Sequence, residues 1–346
     1  MKQVLNMIIL VSVLFASHVQ ARSVEKYVFK AGHTSLQEWL LPAMPHPKDN
    51  PSSESKIELG KMLFFDPRLS GDGNMSCATC HSPLFGWSDG LPTAKGFKSM
   101  VLKRATPTIM NSGYNYIQMW DGRKVSLEDQ AMGPMEANVE MNMNIPKLIE
   151  FLKGNKTYAS AFAKAFPKEK ISEKTLSKAI AAFERTIVSN DSPFDRWVKG
   201  DKKAMTPQQV NGFKIFVDPD KGNCEVCHSA PNFTDDGFHN IGLDSFADKN
   251  PDMGRFSQKP LKLMKGAFKT PTLRDVTDTA PYFHDGSADD LMSVVEHYDK
   301  GGSVVTNLSP NMKKLSLSKK EKADLVAFLK ALTSEHDAFV LPKLPN

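Results

Sequence analysis

One five-residue pattern constrains this chain more than any other. C-x-x-C-H occurs twice, as Cys77-Ala78-Thr79-Cys80-His81 and as Cys224-Glu225-Val226-Cys227-His228, and these are the only four cysteines. Two thiols three positions apart can add to the two vinyl groups of one haem. The adjacent histidine then lies under the ring and ligates the iron. A thioredoxin-like redox pair and half of a zinc site are the rival uses of this spacing. Two copies with no cysteine left for a disulfide framework favour haem. The expectation is two covalently bound haem c groups, with His81 and His228 as iron ligands.

The N-terminus reads as a secretory signal over residues 1–21. Lys2 gives a positive start, Val4 to Ala16 is apolar apart from Asn6 and Ser12, and Val19-Gln20-Ala21 offers a cleavage site near Ala21. An uncleaved anchor is the alternative, although the run is short for a spanning helix. Export to the periplasm follows. The 346 residues suffice for two ordinary domains, and 40% hydrophobic with 24% charged residues is a soluble globular composition. A formal charge of +5 argues weakly for acidic protein partners and gives no support for nucleic acid.

Each half carries the same landmarks. Gly60-Lys61-Met62-Leu63-Phe64-Phe65-Asp66-Pro67 precedes the first motif, and Gly212-Phe213-Lys214-Ile215-Phe216-Val217-Asp218-Pro219 precedes the second. Thr106-Pro107-Thr108 and Thr270-Pro271-Thr272 follow. Fourteen residues past the first Thr of each stands Trp120 or His284, then Asp-Gly, then Leu127 or Leu291 at equal distance. So many fixed offsets imply a duplication.

The coarse pattern is helical. Thr206-Pro207-Gln208-Gln209 is a capping-box start, and Ser318 with Glu321 caps a helix striped by Leu325, Phe328, Leu329 and Leu332. Ala179, Ile180, Phe183 and Ile187 suggest a helix joining the halves. The expected fold is all-α: two internally duplicated domains like class I cytochrome c. The polar, lysine-rich stretch from Val198 to Ala204 places the boundary between domains at 22–200 and 201–346.

The two irons are not expected to be equivalent. A c-type haem takes its sixth ligand from a later loop. Fourteen residues beyond His284 is Tyr298, with His297 and Met292 as rival ligands; fourteen beyond Trp120 is Pro134, which has no donor atom. Residues 82 to 227 contain no histidine. The first iron is expected to stay open to a small molecule such as hydrogen peroxide. Gln130 and Glu140 stand near that position, and a carboxylate there suits proton transfer between peroxide oxygens. On composition alone the plainer reading is favoured: a solvated Glu140 and a surface Gln130. Trp120 reads as either core filling or an electron relay.

The sequence resembles the bacterial di-haem cytochrome c peroxidase and MauG family from about Leu59 to Leu332. The resemblance rests on Leu59-Gly60-Lys61 through Ser70, Trp120-Asp121-Gly122-Arg123, Ser126 through Pro134, Val139-Glu140-Met141-Asn142 and Ala280 through Gly286. It implies a peroxidatic N-terminal haem and an electron-receiving C-terminal haem. Glu140 and Gln130 would be the catalytic pair, with Trp120 bridging the haems.

Three positions depart from the ordinary peroxidases. Phe97 stands where a loop histidine would cover the peroxidatic iron, and neither Lys98 nor Met100 nearby is an obvious replacement. Tyr298 replaces a methionine ligand and looks like the MauG branch. Ala105 replaces an asparagine that helps hold calcium between the haems. Carbonyls of Thr279 and Pro281 remain, but the oxygen count falls.

The implied function is a periplasmic peroxidase that cleaves hydrogen peroxide, with a small cytochrome c or cupredoxin as electron donor. The alternative is a MauG-like enzyme oxidising Trp or Tyr of a partner protein. A non-enzymatic di-haem carrier is a third reading, opposed by Pro134. A homodimer is compatible with all three.

Overall fold

The computed structural model describes residues 26–346; the expected signal peptide lies outside the described residues. The architecture is mostly helical. Ten α-helices occur among the described residues: α1 (Glu54–Phe65), α2 (Cys77–Cys80), α3 (Leu127–Glu136), α4 (Ile145–Gly154), α5 (Lys156–Ala165), α6 (Glu173–Glu184), α7 (Pro193–Val198), α8 (Pro207–Val217), α9 (Leu291–Lys300) and α10 (Lys319–Lys330). Long loops with 3-10 turns join them. The only strands among the described residues are β1 (Phe238–His239) and β2 (Phe268–Lys269), paired antiparallel as Phe238↔Lys269 and His239↔Phe268.

The repeat has a packing reason. α1 crosses α6 in the first half, and α8 crosses α10 in the second. At each crossing a glycine lets two backbones touch. A Cβ on Gly60 would lie 1.9 Å from the Ala179 carbonyl oxygen, and one on Gly212 would lie 2.0 Å from that of Asp324. Four residues on, Phe64 meets Phe183 and Phe216 meets Phe328, both at 5.2 Å between ring centroids. Each fully buried Phe contributes about 1.5–3 kcal/mol of burial. Asp66 and Asp218 then end their helices alike, each side chain accepting from the amide two residues on (2.9 and 2.8 Å). The expected capping boxes of α8 and α10 are present.

Two hydrophobic cores result, and core membership crosses residue 200 in both directions. The first core draws on α1, α3, α4, α5 and α6, and also takes Phe339 from the C-terminal tail. The second draws on α7 through α10, and also takes Tyr27, Leu36 and Trp39. Each half lacks one aromatic plug that the other end of the chain supplies. Phe339 stacks on Phe65 (5.3 Å) and meets Trp87 edge-on (5.1 Å), while Trp39 meets Phe213 (5.5 Å) and Phe233 (4.7 Å). Buried Asp275 ties the joint by accepting from Ser189 Oγ and the Ser334 amide and pairing with His336.

Candidate haem-binding cavity

One cavity of about 1040 Å³ runs between the halves, and both C-x-x-C-H motifs line it. His81 and His228 take up the same posture. The His81 Nδ1–H donates to the Trp87 carbonyl (3.1 Å), and the His228 Nδ1–H donates to the Phe233 carbonyl (2.9 Å). With Nδ1 protonated, Nε2 keeps its lone pair for the cavity, as a metal-ligating imidazole requires. Burial pushes both imidazoles down, which keeps them neutral. The two carbonyls are fixed by positive φ at Trp87 (60°) and Phe233 (54°), and both residues sit inside aromatic clusters.

The cysteines fit haem attachment and not redox exchange. All four are unbridged. Burial pushes Cys77 and Cys224 up to about 12 and Cys80 up to about 11. A redox pair needs a depressed thiol. A zinc site needs further donors. Among the described residues the one grouping that could hold an ion is Cys227, Asp235 and His239, and its sulfur belongs to the haem motif.

The other repeated phrases also have structural causes. The second Thr of each T-P-T donates to a carbonyl in the loop after its motif: Thr108 to Gly86 (2.5 Å) and Thr272 to Asn232 (2.7 Å). The glycine of each Asp-Gly touches the opposite half. A Cβ on Gly122 would meet Phe238 at 2.3 Å, and one on Gly286 would meet the Pro92 carbonyl oxygen at 2.2 Å. Trp120 and His284, equivalent in the repeat, therefore meet each other edge to face at 6.3 Å. Trp120 Nε1 donates to the Ala105 carbonyl (2.9 Å), and the Ala105 amide donates to the His284 carbonyl (2.7 Å). Arg104 clamps this junction between Asp121 (2.9 Å) and Asp252 (2.7 Å).

On the first half's side the cavity is lined by Gln130, Pro134 and Glu140. Pro134 lies inside α3 and Glu140 just beyond it. The Glu140 carboxyl makes no hydrogen bond to a described residue, and burial raises it above the ordinary carboxylate range while Arg123 opposes the rise. Its backbone is backed by the loop at 96–100. The Phe97 amide donates to the Val139 carbonyl (3.2 Å), and a Cβ on Gly96 would lie 1.8 Å from that oxygen. Met100 lines the cavity, and Phe97 and Lys98 do not.

On the second half's side Tyr298 lines the cavity. Of its rivals, His297 is turned away, its Nε2–H donating to the Ile241 carbonyl (2.9 Å), and Met292 is exposed. Burial raises the Tyr298 phenol, so its ionised form needs a cation beside it. Among the cavity residues that escaped the sequence reading are Glu184 at the end of α6, and His239, whose Nε2 pairs with Asp235 (2.9 Å). Setting α6 against α10 residue by residue was the signal available for Glu184.

Two neutral imidazoles, each flanked by two cavity-facing thiols, define a protein that carries two c-type haems. Comparison with known proteins gives the family. Residues 54–203 match the model of the di-haem cytochrome c peroxidase family. The methylamine utilization protein MauG of Methylorubrum extorquens is 46% identical over 304 residues, covering 88% of this chain and 85% of that one. The cytochrome c551 peroxidase of Pseudomonas aeruginosa is 37% identical, covering 86% and 84%. A crystal structure of a MauG-like protein associated with microbial copper homeostasis superimposes with a TM-score of 0.79 at 33% identity, covering 86% and 95%. The chain belongs to the di-haem cytochrome c peroxidase and MauG family, a family of haem c oxidoreductases.

Proposed function

We propose that this protein is a periplasmic di-haem peroxidase that cleaves hydrogen peroxide in its first half with electrons passed from its second. The observation that carries the reading is the asymmetry of the cavity wall: Pro134, with no donor atom, stands where the repeat puts the cavity-facing Tyr298. Cys77, Cys80 and His81 would hold one haem in a cytochrome c-like domain, and Cys224, Cys227 and His228 would hold the second in its duplicate, with Tyr298 as further ligand. When bound, these groups supply the redox chemistry.

The chain's own residues supply the rest. Glu140, raised by burial and without a hydrogen-bond partner among the described residues, takes a proton from one peroxide oxygen and returns it to the other. Gln130 orients the peroxide. Trp120 is pinned by its Nε1 bond to Ala105 and lies at the junction of the halves, which suits an electron relay. Ala105 offers no side-chain oxygen, so calcium between the haems is not part of this proposal. No helix among the described residues is long and apolar enough to cross a membrane. That is compatible with export of the mature chain.

A second reading has its own support. Tyr298, together with the similarity to MauG proteins, favours oxidation of Trp or Tyr residues in a partner protein. Stopped-flow mixing of the peroxide-treated holoprotein with a reduced small cytochrome c or cupredoxin separates the two. Fast, saturable oxidation of the donor supports the peroxidase. Failure to oxidise it, with the peroxide response intact, moves the assignment to the protein-modifying reading.

A further inference from the structure

The duplicated frame allows each half to serve as the other's control. Gly60 faces the Ala179 carbonyl and the Phe183 Cβ, and Gly212 faces the Asp324 carbonyl and the Phe328 Cβ. Counting along the helices, Ile180 corresponds to Leu325 and Glu184 to Leu329. All four line the cavity. In the second half this wall is apolar, and in the first it carries a carboxyl. Leu329 shows that the fold needs no polar group there.

Glu184 is only 4% exposed, and its Oε2 is buried with no hydrogen-bond partner among the described residues. A buried, unpartnered carboxylate is costly, so the neutral acid is favoured. Burial pushes the carboxyl up to about 8, with Arg185 opposing and Glu128 adding to the rise. The neighbouring charges are committed elsewhere. Arg185 forms a two-pronged pair with Glu128 of α3 (2.7 and 3.0 Å), which also accepts from Asn50. From α2, the Cys77 thiol is raised in part by the charge of Glu184. From α1, Lys56 turns away to Asn50 and the Pro51 carbonyl. Among the described residues no cation donates a hydrogen bond to the Glu184 carboxyl, and the guanidinium of Arg185 acts on it only through charge.

We propose that Glu184 is a charge-compensating acid of the first half, protonated when that half is reduced and releasing its proton when it is oxidised. This rests on the reading that peroxide, the oxidant, is cleaved there. One electron lost from the His81 site is matched by the single proton that the Glu184 carboxyl can release to solvent. The carboxylate left behind offsets the added positive charge, and the proton returns with the returning electron. Glu184 acts through charge and is distinct from Glu140, which handles the peroxide protons.

Spectroelectrochemical titration of the holoprotein between about pH 6 and pH 9 tests this. The first half's haem equilibrium should shift tenfold per pH unit, about 59 mV, and level off on the alkaline side. E184Q and E184L should flatten that dependence and leave the second haem unchanged, while E184D should retain it. Persistence of the slope in both E184Q and E184L overturns the proposal. Should those variants fail to load haem, redox-difference infrared spectra of the wild type and E140Q decide it. A deuterium-sensitive carboxylic-acid C=O band lost on oxidation in both supports Glu184, and its absence overturns the role. A normal peroxide response with a persisting slope sinks this inference alone. A missing peroxide response sinks the peroxidase reading instead.

Discussion

Around Gly60 and around Gly212 the chain does the same thing. A helix crosses its partner at backbone contact, a Phe seals the crossing, an Asp turns the chain, and a histidine is aimed by a carbonyl held at positive φ. Facing the cavity, the halves part company. Pro134 stands opposite Tyr298 and Glu184 opposite Leu329, and Trp120 meets His284 across the junction. The shared residues make the frame, and the proposed chemistry falls on the differing ones. Differences between the halves are therefore a better guide to function here than the repeat itself.

The comparison can be broken or sharpened by substitution. The largest effect is expected from Glu140→Gln, which should slow reaction with peroxide by about 10²–10⁴-fold in rapid-mixing experiments. An unchanged rate would remove Glu140 from the chemistry. Gly60→Ala and Gly212→Ala should each cost about 1–3 kcal/mol in denaturant unfolding, because the added Cβ meets a carbonyl oxygen in both. A cost at only one of them would mean that the two crossings are not equivalent.

Acid should act on a device of the first half. Burial raises the Asp66 carboxyl, but its bonds from Arg68 and Tyr158 outweigh this and hold it below the usual range. The stability it adds is present above the unfolded carboxylate value and lost as pH falls through the lowered folded one. Asp66→Asn should cost about 2 kcal/mol near neutrality and flatten the acid limb of the unfolding profile. The smallest effect, about 1 kcal/mol each, is expected for Thr108→Val and Thr272→Val, which lose equivalent bonds to the loop behind their histidines.

Much of this was legible in the sequence because it is local. The C-x-x-C-H spacing and the capping boxes of α8 and α10 rest on neighbours within a turn or two, while the two glycine-led phrases were visible only because they repeat, their contacts being distant in the chain. The choice of Tyr298 over His297 for the cavity was already suggested by offset, and in the fold His297 turns to Ile241. What stayed hidden depends on long-range packing. Nothing near Phe339 or Trp39 in the chain says that each plugs the distant core. Nothing near Glu184 says that its carboxyl is buried against the cavity; only superposing α6 on α10 brings Leu329 beside it.

The central claim is that the two metal centres are coordinated unequally. Electron paramagnetic resonance of the ferric holoprotein, before and after hydrogen peroxide and alongside Tyr298→Ala, tests it most directly. The account predicts one high-spin centre that changes on adding peroxide and one low-spin centre that alone is altered by the Tyr298 substitution. Two low-spin centres, both indifferent to peroxide, would contradict it.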